Sequence, residues 1–312
     1  MPLLRTFRHI ETFRKKYGWG QQSYSTILRM SVLKKLAPDE FPPLLNEIPD
    51  APETLYVRGS LPPPETKLLA VVGSRRMSGY GKDACEYLIQ GLGGYPISIV
   101  SGLALGMDGT AHRAALSSGL HTIAVPGSGL NDSVLYPRAH YGLAQDILKN
   151  GGALLSEFEP DWKPRPESFP QRNRIMAGMS HATLIVEAGV QSGTLITARL
   201  ASEYNRELLI LPHSIFAEGG AGGHVFMKIG ATPVRTSADI LEALGIEVEA
   251  SQKEFTLNDE EKKVMELLLE PIGRDELIRG LDTDIGTANV LLASMELRGI
   301  IAESMGEIRK NI

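Results

Sequence analysis

Between Leu68 and Leu211 short apolar runs alternate with longer amphipathic stretches, and that rhythm constrains the fold more tightly than any other feature of the chain. Leu68-Leu-Ala-Val-Val-Gly73 is an unbroken apolar run closed by glycine, the pattern of a strand covered on both faces. A helical pattern follows over Ala84–Leu92. The alternation continues with strand Ile97–Val100, helix Gly109–Leu116, strand Thr122–Val125, helix Leu143–Lys149 and strand Ala153–Glu157. After a helix beginning near Arg172 come strand Thr183–Glu187, helix Leu195–Tyr204 and strand Glu207–Leu211. Strands joined through helices require right-handed crossovers, which predicts an α/β protein with a doubly wound, mostly parallel sheet.

Ligands of such sheets sit beyond the carboxyl ends of the strands. There the chain gathers Gly73-Ser74-Arg75, Ser101-Gly102, Gly127-Ser128-Gly129, Glu187-Ala188-Gly189 and Pro212-His213. Arg172, Asn173 and Arg174 lie at the start of one predicted helix, and Ser192, Gly193 and Thr194 open the next. A helix start carries unpaired N–H groups and a positive dipole end, so two of them beside two arginines predict an anion site, with phosphate the obvious ligand. Gly73 admits close approach to the backbone, while Ser74 and Arg75 add a hydroxyl and a planar fork suited to phosphate.

Catalytic tools are scarce on this rim. The loop after the first strand is neither Gly-x-Gly-x-x-Gly nor a P-loop, and no acid follows at the ribose position, so neither a nicotinamide cofactor nor ATP hydrolysis is expected. Asp108 and His112, at i and i+4, read either as an acid–base or half-metal pair or as a helix cap beside a hydrogen-bonded histidine. No second cluster completes a metal site, and His181, His213 and His224 are isolated. Glu187 ends a buried strand, where it suits a nucleotide-hydrolase carboxylate or an acceptor for the Ser192–Thr194 loop. Ser74, Ser101, Ser128 and Ser192 lack the histidine and acid that a nucleophile needs. The expectation is binding without catalysis, with no metal and no cofactor.

The flanks divide the chain into a helical segment at 1–37, the sheet domain at 38–246, a polar linker at 247–256 and a small domain at 257–312. Apolar spacing in residues 1–36 suits two short amphipathic helices, and the proline-dense 38–64 reads as an extended connector with Thr54–Gly59 as an edge strand. The tail reads as helices Asn258–Leu269, Arg274–Leu281 and Ile285–Arg298 with a hairpin at Ile300–Arg309, a winged-helix order. Charge is uneven: residues 1–36 hold eight Lys/Arg against Glu11, whereas residues 254–312 hold seven against thirteen acids. The third tail helix offers Ala288, Asn289, Ser294 and Glu296 where a groove-reading helix wants cations, so protein contact or dimer support suits it better than duplex DNA. The single Cys85 excludes an internal disulfide and reads as core filler. No apolar run reaches the ~18 residues of a membrane span and no signal-peptide pattern opens the chain, so a cytoplasmic protein is expected.

Taken together, Val71-Val-Gly-Ser-Arg75, Ser101-Gly-Leu-Ala-Leu-Gly-Met-Asp-Gly-Thr-Ala-His112, Thr122-Ile-Ala-Val125, Tyr136-Pro137, Ser156-Glu157, Phe169-Pro-Gln-Arg-Asn-Arg-Ile175, Glu187-Ala188 and Ser192-Gly-Thr-Leu-Ile-Thr-Ala198 closely resemble the DNA-processing protein A (DprA/Smf) family. Phe41-Pro-Pro-Leu-Leu45 and Leu55-Tyr-Val-Arg-Gly59 resemble its lead-in. The resemblance implies an extended Rossmann fold, a homodimer, and sequence-independent binding of single-stranded DNA. It also implies loading of RecA onto incoming strands, against single-strand-binding protein, during natural transformation. Carried over by position, Gly73, Ser74 and Arg75 would cradle phosphate with Arg172, Asn173 and Arg174 nearby. Ser101, Gly102, Ser192, Gly193 and Thr194 would supply loop contacts, and Phe169 a stacking surface. The chain departs from the family pattern at Leu105, where a cation is common, at His213 after Pro212, and at His224 with Phe226-Met227. The alternative class, a phosphoribohydrolase of the same sheet type, wants a glutamate downstream of its Gly-Thr; Ile196-Thr197-Ala198 stand there instead.

Overall fold

The computed structural model describes residues 32–247, 257–304 and 306–310, so of the two helices expected in residues 1–36 the first, and the second as far as residue 31, lie outside the described residues. The chain divides at Glu247 into two compact units.

The larger unit is built on one nine-stranded sheet. Its strands are β1 (Lys34–Leu36), β2 (Leu55–Gly59), β3 (Lys67–Gly73), β4 (Ile97–Ser101), β5 (His121–Ala124), β6 (Ala153–Ser156), β7 (Ala182–Glu187), β8 (Glu207–Ile210) and β9 (Thr232–Pro233). They lie in the order β1-β2-β6-β5-β4-β3-β7-β8-β9. The seven strands from β6 to β9 are parallel, and β1 and β2 add an antiparallel edge. Connecting helices are α1 (Gly79–Gln90), α2 (Met107–Ser117), α3 (Tyr141–Lys149), α4 (Ser168–Met179), α5 (Thr194–Glu203), α6 (Ala221–Met227) and α7 (Ser237–Ala243). The chain leaves β3 toward β4 and later returns to pair β7 on the other side of β3, which sets the switch point of the sheet there.

Strand alternation distributes the core. Leu68, Ala70 and Val72 face one buried cluster with Ile175 and Met176 of α4 and Ala198 and Ala201 of α5. Leu69 and Val71 face a second with Leu88 of α1, Ala111 of α2 and Ile240 of α7. Both faces of β3 are therefore dry, as an uninterrupted apolar run demands.

Two expectations need correction. Lys34–Leu36 is a strand paired with β2, not the end of a helix, so β2 is one place in from the edge. The proline-dense segment is more than a connector: Phe41, Leu45 and Ile48, between its prolines, are buried in the core. A Cβ on Gly178 of α4 would lie 2.8 Å from Ile48 Cδ1, so that glycine admits the segment. Helix α7 is capped by Thr236, in a reciprocal arrangement with Asp239, while the Ser237 hydroxyl donates to Leu88 O at 2.8 Å.

The smaller unit packs α8 (Asp259–Leu267), α9 (Arg274–Gly280) and α10 (Ile285–Leu297) with β10 (Ile272–Gly273), β11 (Ile301–Ser304) and β12 (Glu307–Lys310) around Val264, Leu277, Leu292 and Ile308. Its three-stranded antiparallel sheet fits a winged-helix domain. Arg274 donates to Asn289 and Glu296 of α10 and to Glu303 of β11, which spends these polar groups inside the unit.

Two histidines are locked into the sheet as neutral groups. His112 Nδ1 donates to Thr122 Oγ1 at 2.7 Å, whose hydroxyl donates on to Ile99 O, and His121, its Nε2 donating to Ser60 O, accepts at Nδ1 from Ser98 Oγ at 2.7 Å. Burial pushes His112 down to about 3 and His121 to about 4. The unfolded chain takes up these protons below about 6.5 and the folded chain does not, so stability falls as pH drops through that window. We expect each to contribute about 2 kcal/mol of destabilisation between pH 7 and pH 5. Urea unfolding of His121→Gln should therefore show a shallower loss between those pH values than wild type; equal losses would contradict a neutral buried His121.

Candidate nucleic-acid interface

Beyond the carboxyl ends of β3, β4 and β5 lies a small hollow of about 40 Å³. Its walls come from Arg75, Gly102, Leu105, Gly127, Tyr136, Pro137, Phe169 and Arg172, with Ala104 between. A space this small does not enclose a nucleobase, so any polynucleotide would lie across its mouth.

Arg172 forms the floor. It is only 5% exposed, and its Nη1 donates to Gly102 O and Val125 O, the carbonyls just past β4 and β5. Its Nε donates to Asn173 Oδ1 at 3.1 Å. Burial pulls the guanidinium down to about 10, opposed by the charge of Asp108, so it remains a cation at neutral pH. Asp108 is buried as well; burial raises its carboxyl, while Arg172 and the Ala104 amide, at 3.2 Å, oppose the rise. Gly102 is required here, because a Cβ would lie 2.1 Å from Arg172 Nη1.

The rim is aromatic and basic. The Arg75 guanidinium lies 5.3 Å from the centroid of Phe169, whose ring packs at 5.8 Å and 49° against Tyr136. A Cβ on Gly127 would strike Phe169 at 2.6 Å, so the loop after β5 is glycine where the ring enters. Arg75 is exposed, and among the described residues no carboxylate pairs with it. Leu105, 47% exposed, takes the rim position where the family often has a cation.

The structure sorts the expected site residues into three groups. Arg75, Gly102, Phe169 and Arg172 meet at the hollow. Gly73, Ser74, Ser101, Asn173 and Arg174 support it. Gly73 lets Met107 pack, since a Cβ would meet Met107 Cγ at 2.6 Å. Ser74 Oγ accepts from the Arg76 amide at 3.0 Å, and Ser101 Oγ, fully buried, donates to Val71 O at 2.6 Å. Ser101 therefore has no hydroxyl to offer a ligand. Arg174 is neutralised by Glu157 and, at 3.6 Å, by Asp50, so it braces α4 and does not clamp phosphate. Ser192, Gly193 and Thr194 open α5 past β7, outside the hollow lining, with Ser192 Oγ accepting from the Thr194 amide at 3.2 Å.

The alternatives also resolve. Asp108 is not the cap of α2; Gly106 holds that position at φ 77°, where a Cβ would lie 2.5 Å from Arg75 O. His112 bonds within the sheet. Glu187 Oε2 accepts from the Ser78 amide at 2.9 Å and its hydroxyl at 3.0 Å, so the carboxylate fills the start of α1 and does not serve the Ser192–Thr194 loop. That helix start already holds its anion. His213 Nε2 bonds Val186 O at 2.7 Å and His224 Nε2 bonds His213 O at 3.1 Å, so both departures from the family pattern are tied into the backbone. Among the described residues no His, Cys, Asp and Glu cluster could hold a metal ion. Likewise, no described helix is long and apolar enough to cross a membrane. Sequence reasoning missed Tyr136 as part of the site; its aromatic character beside Pro137 was the available signal.

Fold and rim together define a doubly wound α/β protein with an aromatic, cationic cleft at its strand ends. A family model described as DNA recombination-mediator protein A matches residues 34–245, and the chain belongs to that family. Protein Smf of Escherichia coli is 45% identical over 204 residues, covering 65% of this chain and 54% of that protein. DNA processing protein DprA of Streptococcus pneumoniae is 42% identical over 203 residues, covering 65% of this chain and 71% of that one. The chain thus spans about half the length of the Escherichia coli relative. The X-ray structure of the pneumococcal DprA superposes with TM-score 0.64 at 38% identity, over 73% of this chain and 80% of that one. A Helicobacter pylori DNA processing protein A, whose structure is described for its single-stranded DNA binding mode, gives TM-score 0.60 at 29% identity over 68% and 95%.

The division of labour between the two hollow arginines is measurable. Arg172→Ala strands two buried carbonyls and Asp108, and should cost about 3–5 kcal/mol in urea unfolding. Arg75→Ala should stay within about 0.5 kcal/mol of wild type. Equal losses would remove the distinction between floor and rim.

Proposed function

We propose that this chain binds single-stranded DNA, without sequence preference, across the strand-end hollow, and does so as a recombination mediator. In this reading Arg75 grips phosphate, Phe169 and Tyr136 present ring surfaces to the bases, and the buried charge of Arg172 adds attraction from below. The observation that carries it is Arg75 held on the Phe169 ring with, among the described residues, no carboxylate to neutralise it. The Helicobacter pylori relative supports the choice of ligand, since its structure is described for its single-stranded DNA binding mode.

Further steps follow from family membership and belong to the same proposal. The chain loads RecA onto the bound strand, competes with single-strand-binding protein, acts as a homodimer in the cytoplasm, and serves natural transformation. It works by binding and not by turnover: Glu187 is engaged by Ser78, and Asp108 and His112 are buried. The segment divisions at 37, 246 and 256 belong to this reading too, with the acidic tail contacting protein.

Gel shifts with oligo-thymidine test it. Affinity should fall with salt at a log–log slope of roughly −0.7 per phosphate neutralised. Arg75→Ala should weaken binding to every sequence by about tenfold, the scale of one charge-assisted contact. A variant that bound oligonucleotides as tightly as wild type would place the strand elsewhere.

A further inference from the structure

We infer that the loop between β6 and α4 holds a second phosphate-binding station, built on Arg165, which continues the strand's track beyond the hollow. The inference rests on the single-stranded DNA reading above. Arg58 donates to Asp132, Arg174 to Glu157, and Arg206 to Glu47, so each of these is neutralised. Arg75 and Arg165 lie on rings instead, 5.3 Å from the Phe169 centroid and 4.8 Å from that of Trp162. Arg138 also lies on a ring, Tyr141 at 4.4 Å, but spends a donor on Asp132 O. A guanidinium stacked on an aromatic face is ordered yet keeps its in-plane N–H donors for an external anion.

Trp162 makes a firm base for Arg165. Its ring stacks on Phe158 at 5.7 Å and 11°, and its Nε1 donates to Ser168 Oγ at 3.3 Å. Its carbonyl accepts from the Gly129 amide at 2.9 Å, which fastens it to the loop beside the hollow. The Arg165 amide donates to the same Ser168 Oγ at 3.2 Å, and Ser168 precedes Phe169 at the start of α4. The two arginine–ring pairs are thus joined through one helix start. Little side-chain freedom remains for Arg165 to lose when a phosphate arrives.

The loop exposes charges of both signs, and Arg165 is the one set on a ring. Glu157 is paired with Arg174, and Glu159 and Asp161 are bonded to the neutral groups Tyr56 and Asn131; Glu159, Asp161 and Glu167 are exposed, as are Lys163 and Arg165. The ligand is the diester backbone of a single strand that already crosses the hollow.

Two measurements test this on the full chain. Arg165→Ala should weaken binding of a twenty-residue oligo-thymidine by about tenfold and flatten the salt slope by about 0.7, the share of one phosphate. The chain has two tryptophans, so a Trp19→Phe background isolates Trp162, whose emission should change as the strand settles on Arg165. An Arg165→Ala protein with wild-type affinity and slope, or unchanged Trp162 emission at saturating oligonucleotide, would overturn the second station. If Arg75→Ala still weakened binding, the hollow would stand without it. A wild-type protein that failed to bind at low salt would sink both.

Discussion

The rim depends on one buried guanidinium. Parallel strands end with carbonyls that no ladder partner reaches, and past β4 and β5 these belong to Gly102 and Val125. Arg172 satisfies both from α4 and so fixes the first helix of the returning crossover against two strand ends. A buried cation is costly unless its donors and charge are answered. Here carbonyls, Asn173 and Asp108 answer it, and the same guanidinium lies under the hollow as a fixed positive charge. Scaffold and electrostatics are therefore a single feature.

Around that anchor the cations divide by what holds them. Carboxylate-paired arginines such as Arg58 and Arg174 tie segments together and show little charge to the outside. Arg75 lies on a ring and, among the described residues, meets no carboxylate. The anions divide in parallel: Glu187 occupies the start of α1, so the pole most often associated with phosphate on this fold is already filled. Attraction is shifted toward α4 and the loops after β3 and β5. Leu105 makes that rim more apolar and leaves its charge to Arg75.

Much of this was legible in the chain itself. Every strand from β3 to β8 was placed within two residues, because an apolar run between polar loops has one reading when both faces are dry. β1 was missed: Lys34–Leu36 has only Leu36 as a buried residue, and three residues cannot show a period. Phe41, Leu45 and Ile48 were hidden by the prolines among them, whose turns are what let those side chains reach the core. At the rim Arg75, Gly102, Phe169 and Arg172 line one hollow, but Arg172, Asn173 and Arg174 do not open their helix as expected: α4 begins at Ser168, because its first turn takes in Phe169-Pro170, so its unpaired amides lie before the arginines. Ser101 and Arg174 have the same residue types and comparable spacing, yet neither is available to a ligand.

The sequence by itself determined the alternation of strand and helix, the rim on which glycine and polar side chains collect, and the family to which they belong, because periodicity and loop chemistry are local properties. Only the tertiary structure decided which charges are free. Whether an arginine meets a carboxylate, a carbonyl or an aromatic face depends on partners such as Glu157, Gly102 and Phe169, brought together by the crossing order of the sheet. Coulombic neutralisation falls off over a few ångströms, and distances of that kind are set by folding, not by position along the chain.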